Sequence, residues 1–144
     1  MSRPWRVVLD TNICVSALLK PDGLRAKVVQ LAKAGGFRII SSVWIHDEIR
    51  DVFHRPSIRK ALPKGLDPES WLDHVEVECA TLLSDLDGPT ITVDPKDDPI
   101  LWAAYAGNAD WVVSADADLL NHKHFHGAQI AGPKDFLNHW RRAR

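Results

Sequence analysis

Net charge is nearly absent: 18 lysines and arginines stand against 19 aspartates and glutamates, a formal −1. With no global basic field, any nucleic-acid contact must come from local patches. Long hydrophobic runs are also missing. None approaches the roughly 18 residues of a membrane span, and MSRPWRVVLD lacks the apolar core of a signal peptide. Cysteine is scarce. Cys14 and Cys79 follow no metal-binding spacing, and without a secretory signal they imply reduced thiols in a cytoplasm. Cys14 reads as a small buried residue. No repeat, low-complexity tract or linker interrupts the chain, so one domain over residues 1–144 is expected. A chain this long buries about 68–70% of its unfolded surface and needs no staple.

Apolar strand-like runs alternate with helical periodicity. Strands are expected at 5–9, 37–40, 90–93 and 111–114, with a last edge strand at 129–131. Helices are expected at 13–19, 24–34, 43–54, about 67–83, 98–107, 117–121 and 133–142. Three prolines and a glycine in residues 56–68 read as short turns. Strands separated by helices argue for a parallel sheet covered on both faces.

Carboxylates fall at the boundaries of these elements: Asp10 in VVLDTN, Glu48 in WIHDEI, Asp97 and Asp98 in PKDDPIL, Asp116 and Asp118 in SADADLL. In open α/β sheets the ligand crevice lies beyond the carboxyl ends of the strands. Asp10 and Asp116 follow strands directly, and Asp97 and Asp98 open the helix after the third. Glu48 must reach in from mid-helix, on a face shared with Trp44, Asp51 and Val52. Taken singly, most of these acids read as helix caps or solvent-facing residues. As a set they point to one edge. Two unit charges at contact repel by roughly 4 kcal/mol at an effective dielectric of 20. Converging acids therefore need a cation, and oxygen-only ligands suit Mg²⁺ or Mn²⁺.

The segments VVLDTNICVSALL, SSVWIHDEIRDVF, DPKDDPILWAA and WVVSADADLL together resemble the PIN-domain family, closest to its toxin components of prokaryotic toxin–antitoxin pairs. The resemblance runs from the first strand to IAGPKDFL near the end. It implies an α/β/α sandwich with a five-stranded parallel sheet and a metal-dependent nuclease site acting on RNA. The family's acids fall on Asp10, Glu48 and Asp116, with Asp118 a further acid. The third acid falls on Asp97, while Asp98, better placed as a helix cap before Pro99, becomes a supporting residue. Ser114 keeps the hydroxyl of the family's usual Thr. Ala115 stands where many relatives carry Gly, and Asn12 fits a polar helper that orients Asp10. An antitoxin partner, a homodimer and a cytoplasmic location without membrane contact are further implications.

Substrate contacts are expected from Arg55, Arg59 and Lys60, within a basic stretch 54–64 that follows the Glu48 helix. Arg25, Lys27 and the terminal arginines are further candidates. The run His122–His126 reads as a solvated loop rather than a metal site. Trp5, Trp102 and Trp111 read as core, and Trp71 and Trp140 as candidates for an interface. A phospho-receiver domain is the main rival, but it asks for paired acids after the first strand, where only Asp10 stands. A haloacid-dehalogenase-like phosphatase would need Asp-x-Asp there instead of Asp-Thr-Asn. A binding protein whose acids are only caps, or a PIN-like nuclease acting on DNA, completes the alternatives.

Overall fold

The computed structural model describes residues 3–144 except Cys79, Asp85 and Val93, with backbone alone at 76–78. The chain opens with β1 (Arg6–Leu9), α1 (Thr11–Leu19), α2 (Leu24–Lys33), β2 (Arg38–Ser42) and α3 (Val43–Phe53). Then come α4 (Pro56–Ala61), α5 (Pro68–Glu78), β3 (Ala80–Leu83) and α6 (Asp98–Ala106). It closes with β4 (Trp111–Val113), α7 (Ala117–His122), β5 (His124–Phe125), β6 (Ala128–Ala131) and α8 (Pro133–Arg142).

The strands form one sheet in the order β3-β2-β1-β4-β6-β5. The first five are mutually parallel, and the two-residue β5 adds an antiparallel edge, pairing Phe125 with Ala128. Val7, Val8 and Leu9 are all buried, as are Trp111, Val112 and Val113. Successive strand residues point to opposite faces, so burial of every position means both faces are covered. One cover is α6, which packs over β1, β2 and β4. On α8, Phe136 meets Trp111 at a ring-centroid distance of 5.7 Å.

Sheet order fixes where a ligand can sit. From β1 the chain moves outward through β2 to β3, then returns to β4 on the other side of β1. The strand order therefore reverses between β1 and β4, where open α/β sheets form their crevice. Backbone ties hold that junction: Asp10 N–H donates to Val113 O (2.9 Å), and Ser114 N–H to Ala131 O (3.1 Å).

Four expected elements differ. The third strand is Ala80–Leu83, not 90–93: residues 90–92 are irregular, and Val93 lies outside the described residues. The helix expected to reach residue 83 stops at Glu78, because Ala80–Leu83 extends and pairs with Ile39–Ser42. Residues 56–61 form a helix, with Pro56 in its first turn, where proline's missing N–H costs nothing. The last parallel strand, β6, is no edge, since part of the expected histidine loop pairs along it as β5.

The tryptophans divide partly as expected. Trp111 is buried and Trp5 packs against it. Trp102 is half-buried, with its indole N–H on Pro89 O (3.0 Å). Cys14 is buried in α1, and the expectation for Cys79 lies outside the described residues. No helix among the described residues is long and apolar enough to cross a membrane.

Candidate metal centre

Asp10 ends β1 and caps α1, accepting from Thr11 N–H at 2.7 Å through Oδ1. Its other oxygen accepts from the Ser114 hydroxyl at 2.6 Å and from Asn12 Nδ2 at 3.3 Å. Ser114, fully buried at the end of β4, also accepts from Asp116 N–H at 2.9 Å. Asp116 in turn caps α7 through Asp118 N–H (2.8 Å). One hydroxyl thus joins the first acid to the backbone of the last, across the junction of β1 and β4. Cap and site readings coexist at Asp10 and Asp116, because each carboxylate keeps lone pairs beyond those used in capping.

The two neighbouring acids at 97 and 98 do different work. Asp98 is buried and accepts from Thr92 N–H (2.7 Å), the Thr92 hydroxyl (2.7 Å) and Ile91 N–H (3.2 Å). Burial pushes its carboxyl up, but these donors outweigh it and hold the group below its ordinary range. Asp98 therefore fastens the approach segment. The helix cap position belongs to Asp97, not to Asp98 as expected, and Asp97 makes no side-chain capping bond. Its carboxylate lies instead among other acids. Asp97, Asp116 and Asp118 each bring an oxygen within 4.8 Å of the others.

This crowding shows in the acidities. Burial, then the charges of Asp116, Asp10, Asp94 and Asp118, push the Asp97 carboxyl up to about 7. Burial also raises Asp10, against the hydrogen bonds from Ser114 and Thr11, and Asp116 adds to the rise. Asp94 was not anticipated, although it lies three residues before Asp97.

Two buried side-chain oxygens among the described residues lack a hydrogen-bond partner, Asn12 Oδ1 and Asp97 Oδ2. Buried polar atoms are rarely left so. An all-oxygen set with orphaned lone pairs and mutually repelling acids fits a hard divalent cation. Glu48 lies apart from the gathered trio. It is half-buried on α3, which packs against both α1 and α6, and it makes no hydrogen bond or salt bridge among the described residues. Arg55, Arg59 and Lys60 are exposed at the start and end of α4, with Arg59 Nη2 3.4 Å from His54 Nδ1.

The fold and the gathered acids define a mostly parallel α/β protein with an acid cluster, able to hold a cation, at the sheet's carboxyl edge. A family model for the PIN domain matches residues 6–118, and the chain belongs to the PIN-domain family, whose members are generally nucleases. Among solved structures it is similar to VapBC2 from Rickettsia felis bound to a DNA fragment from their promoter. That match has a TM-score of 0.57 and 19% identity, and covers 88% of this chain and 98% of the other. No curated protein matches the chain in sequence.

Proposed function

We propose that the protein is a divalent-metal-dependent endoribonuclease of the cytoplasm, the toxin of a toxin–antitoxin pair. The carrying observation is the acid cluster at the β1–β4 junction, with Asp97 Oδ2 buried and unpartnered. Asp10, Glu48, Asp97 and Asp116 are assigned as the catalytic, metal-holding acids, and Asp118 as a further ligand. Asn12, Ser114 and Asp98 are assigned supporting positions. Mg²⁺ or Mn²⁺ bound here would supply Lewis acidity toward a phosphodiester and acidify water.

The chain's own groups prepare for that. Ser114 and Thr11 aim the Asp10 carboxylate. Asp97, pushed up to about 7, would hold a cation in its deprotonated form, so metal binding there would be coupled to loss of its proton. Hydrolysis adds water to phosphorus while the P–O bond to the leaving nucleotide breaks, giving one phosphate end and one hydroxyl end. Arg55, Arg59 and Lys60 are assigned to the substrate backbone. RNA, an antitoxin partner and a homodimer rest on the resemblance to the family's toxin members, and the likeness to VapBC2 supports the paired partner.

The test is cleavage of a mixed RNA pool, with a matched DNA pool, in Mn²⁺. Wild type is expected to cut RNA, while Asp10→Asn and Asp116→Asn lose cutting and stay folded by circular dichroism. Full activity in both variants defeats the reading, and preference for the DNA pool replaces RNA with DNA.

A further inference from the structure

Helix α1 is buried on most of its surface, through Ile13, Cys14, Val15, Ala17 and Leu18. Asn12, Ser16 and Lys20 are not buried, and their spacing of four puts them on one face, about 6 Å apart per step. That polar line starts beside Asp10, where Asn12 bonds the carboxylate. It leads to Arg25. The turn at Lys20–Gly23, closed by Gly23 N–H on Lys20 O (3.0 Å), lays α2 back along α1. Arg25 Nη1 then donates to the Ser16 hydroxyl at 2.7 Å.

Arg25 is half-buried and has no acidic partner among the described residues. Several other arginines have acids near them: Arg3 pairs with Asp110 and Arg50 with Glu69, and Arg59 acts on the carboxylate of Asp67. A partly desolvated guanidinium without an anion is an open half of an ion pair, and its planar fork matches a phosphate. It lies in a cavity walled by Leu19, Leu24 and Pro133, with Lys20 also lining it. Pro133 begins the helix after β6, so the cavity flanks the sheet's carboxyl edge, the side of the acids.

We infer that Arg25, aimed by Ser16 and assisted by Lys20, holds a backbone phosphate of the single-stranded substrate beside the scissile position. This rests on the ribonuclease reading and adds a second anchor, on the α1 side of the site. The half-buried Arg25 is a stronger candidate than an exposed cation, because its neighbours already fix its direction.

Arg25→Gln removes the charge and, being two atoms shorter, also the Nη1 bond to Ser16. Arg25→Lys keeps the charge. Each is placed in the wild-type chain for cleavage, and in an Asp116→Asn chain for binding of a fluorescein-labelled single-stranded RNA by anisotropy. Expected for Arg25→Gln is a KM raised about tenfold with kcat unchanged. Its binding should show a salt slope reduced by about 0.7, with partial recovery in Arg25→Lys. A methylphosphonate at the contacted phosphate should weaken wild type and leave Arg25→Gln indifferent. Equal KM and equal salt slope in wild type and Arg25→Gln overturn the inference while the ribonuclease reading stands. The same equality, with Arg25-dependent binding of a poly-glutamate peptide, overturns it in favour of an acidic protein segment. If wild type cuts no RNA, the ribonuclease reading falls, and the anisotropy slopes alone decide whether Arg25 contacts RNA.

Discussion

Asp97 and Asp98 share a backbone neighbourhood, yet one carboxylate is short of partners and the other has three donors. Asp98→Ala leaves the N–H groups of Ile91 and Thr92 without their acceptor, and burying such a group unpaired costs about 1–3 kcal/mol. The expected result is a lower urea midpoint with Mn²⁺ affinity retained. Asp97→Ala should do the opposite, losing Mn²⁺ affinity at little cost in stability. Calorimetric titration beside denaturation checks both, and matching effects from the two variants would refute the division. The sequence carried Asp10 and Asp116 plainly, because strand ends place them. The residues alone left 97 against 98 open, and the family resemblance put the third acid on Asp97. The different partners of the two depend on Thr92 folding back over the start of α6, and nothing local in PKDDPIL encodes that contact.

At the scale of elements, the acids are only as well placed as the helices and strands that carry them. Asp97 rides on α6, whose Leu101 is fully buried in the core. Leu101→Ala should cost about 2–5 kcal/mol. Because the same helix positions Asp97, Mn²⁺ affinity should weaken as well, unlike the result of a cavity remote from the site. Differential scanning fluorimetry with and without Mn²⁺ measures both, and a stable variant with unchanged Mn²⁺ response would contradict the coupling. Most elements were legible from periodicity and capping residues: Ser42 caps α3 through Ile45 N–H (3.2 Å), and Asp67 accepts from the Ser70 hydroxyl at 2.7 Å beside α5. Strand β3 was not. Ala80–Leu83 continues the apolar spacing of α5, and only its pairing with β2 makes it extended, a tertiary effect that local propensity cannot report.

Across the whole molecule, the crowded acids set the sign of the response to pH. The folded chain holds the Asp97 proton up to about 7, whereas an unperturbed aspartate loses it near 3.8. Between those values the native state binds more protons than the unfolded one, so ion-free stability from this group falls as pH rises. Asp10 is raised in the same direction. Asp67 and Asp98 are lowered, so they act below 3.8 and leave this interval untouched. Mn²⁺ binds the deprotonated form, and its stabilisation should grow through the same interval. Melting curves of wild type and Asp97→Asn across this range, with and without Mn²⁺, check it. The ion-free decline should be smaller in Asp97→Asn, and an identical profile in both proteins would exclude Asp97 as its source.

The hydroxyl that joins Ser114 to Asp10 spans 104 residues of chain. During synthesis at 5–20 residues per second, roughly 5–20 s separate the appearance of those two partners. Throughout that interval the growing polypeptide carries Asp10 without the strand that orients it and without Asp116 or Asp118. On the ribonuclease reading proposed above, a growing chain in that interval lacks the assembled acids it would need to cut the message it is read from. The acid site comes into being only once Ser114, Asp116 and Asp118 have been made.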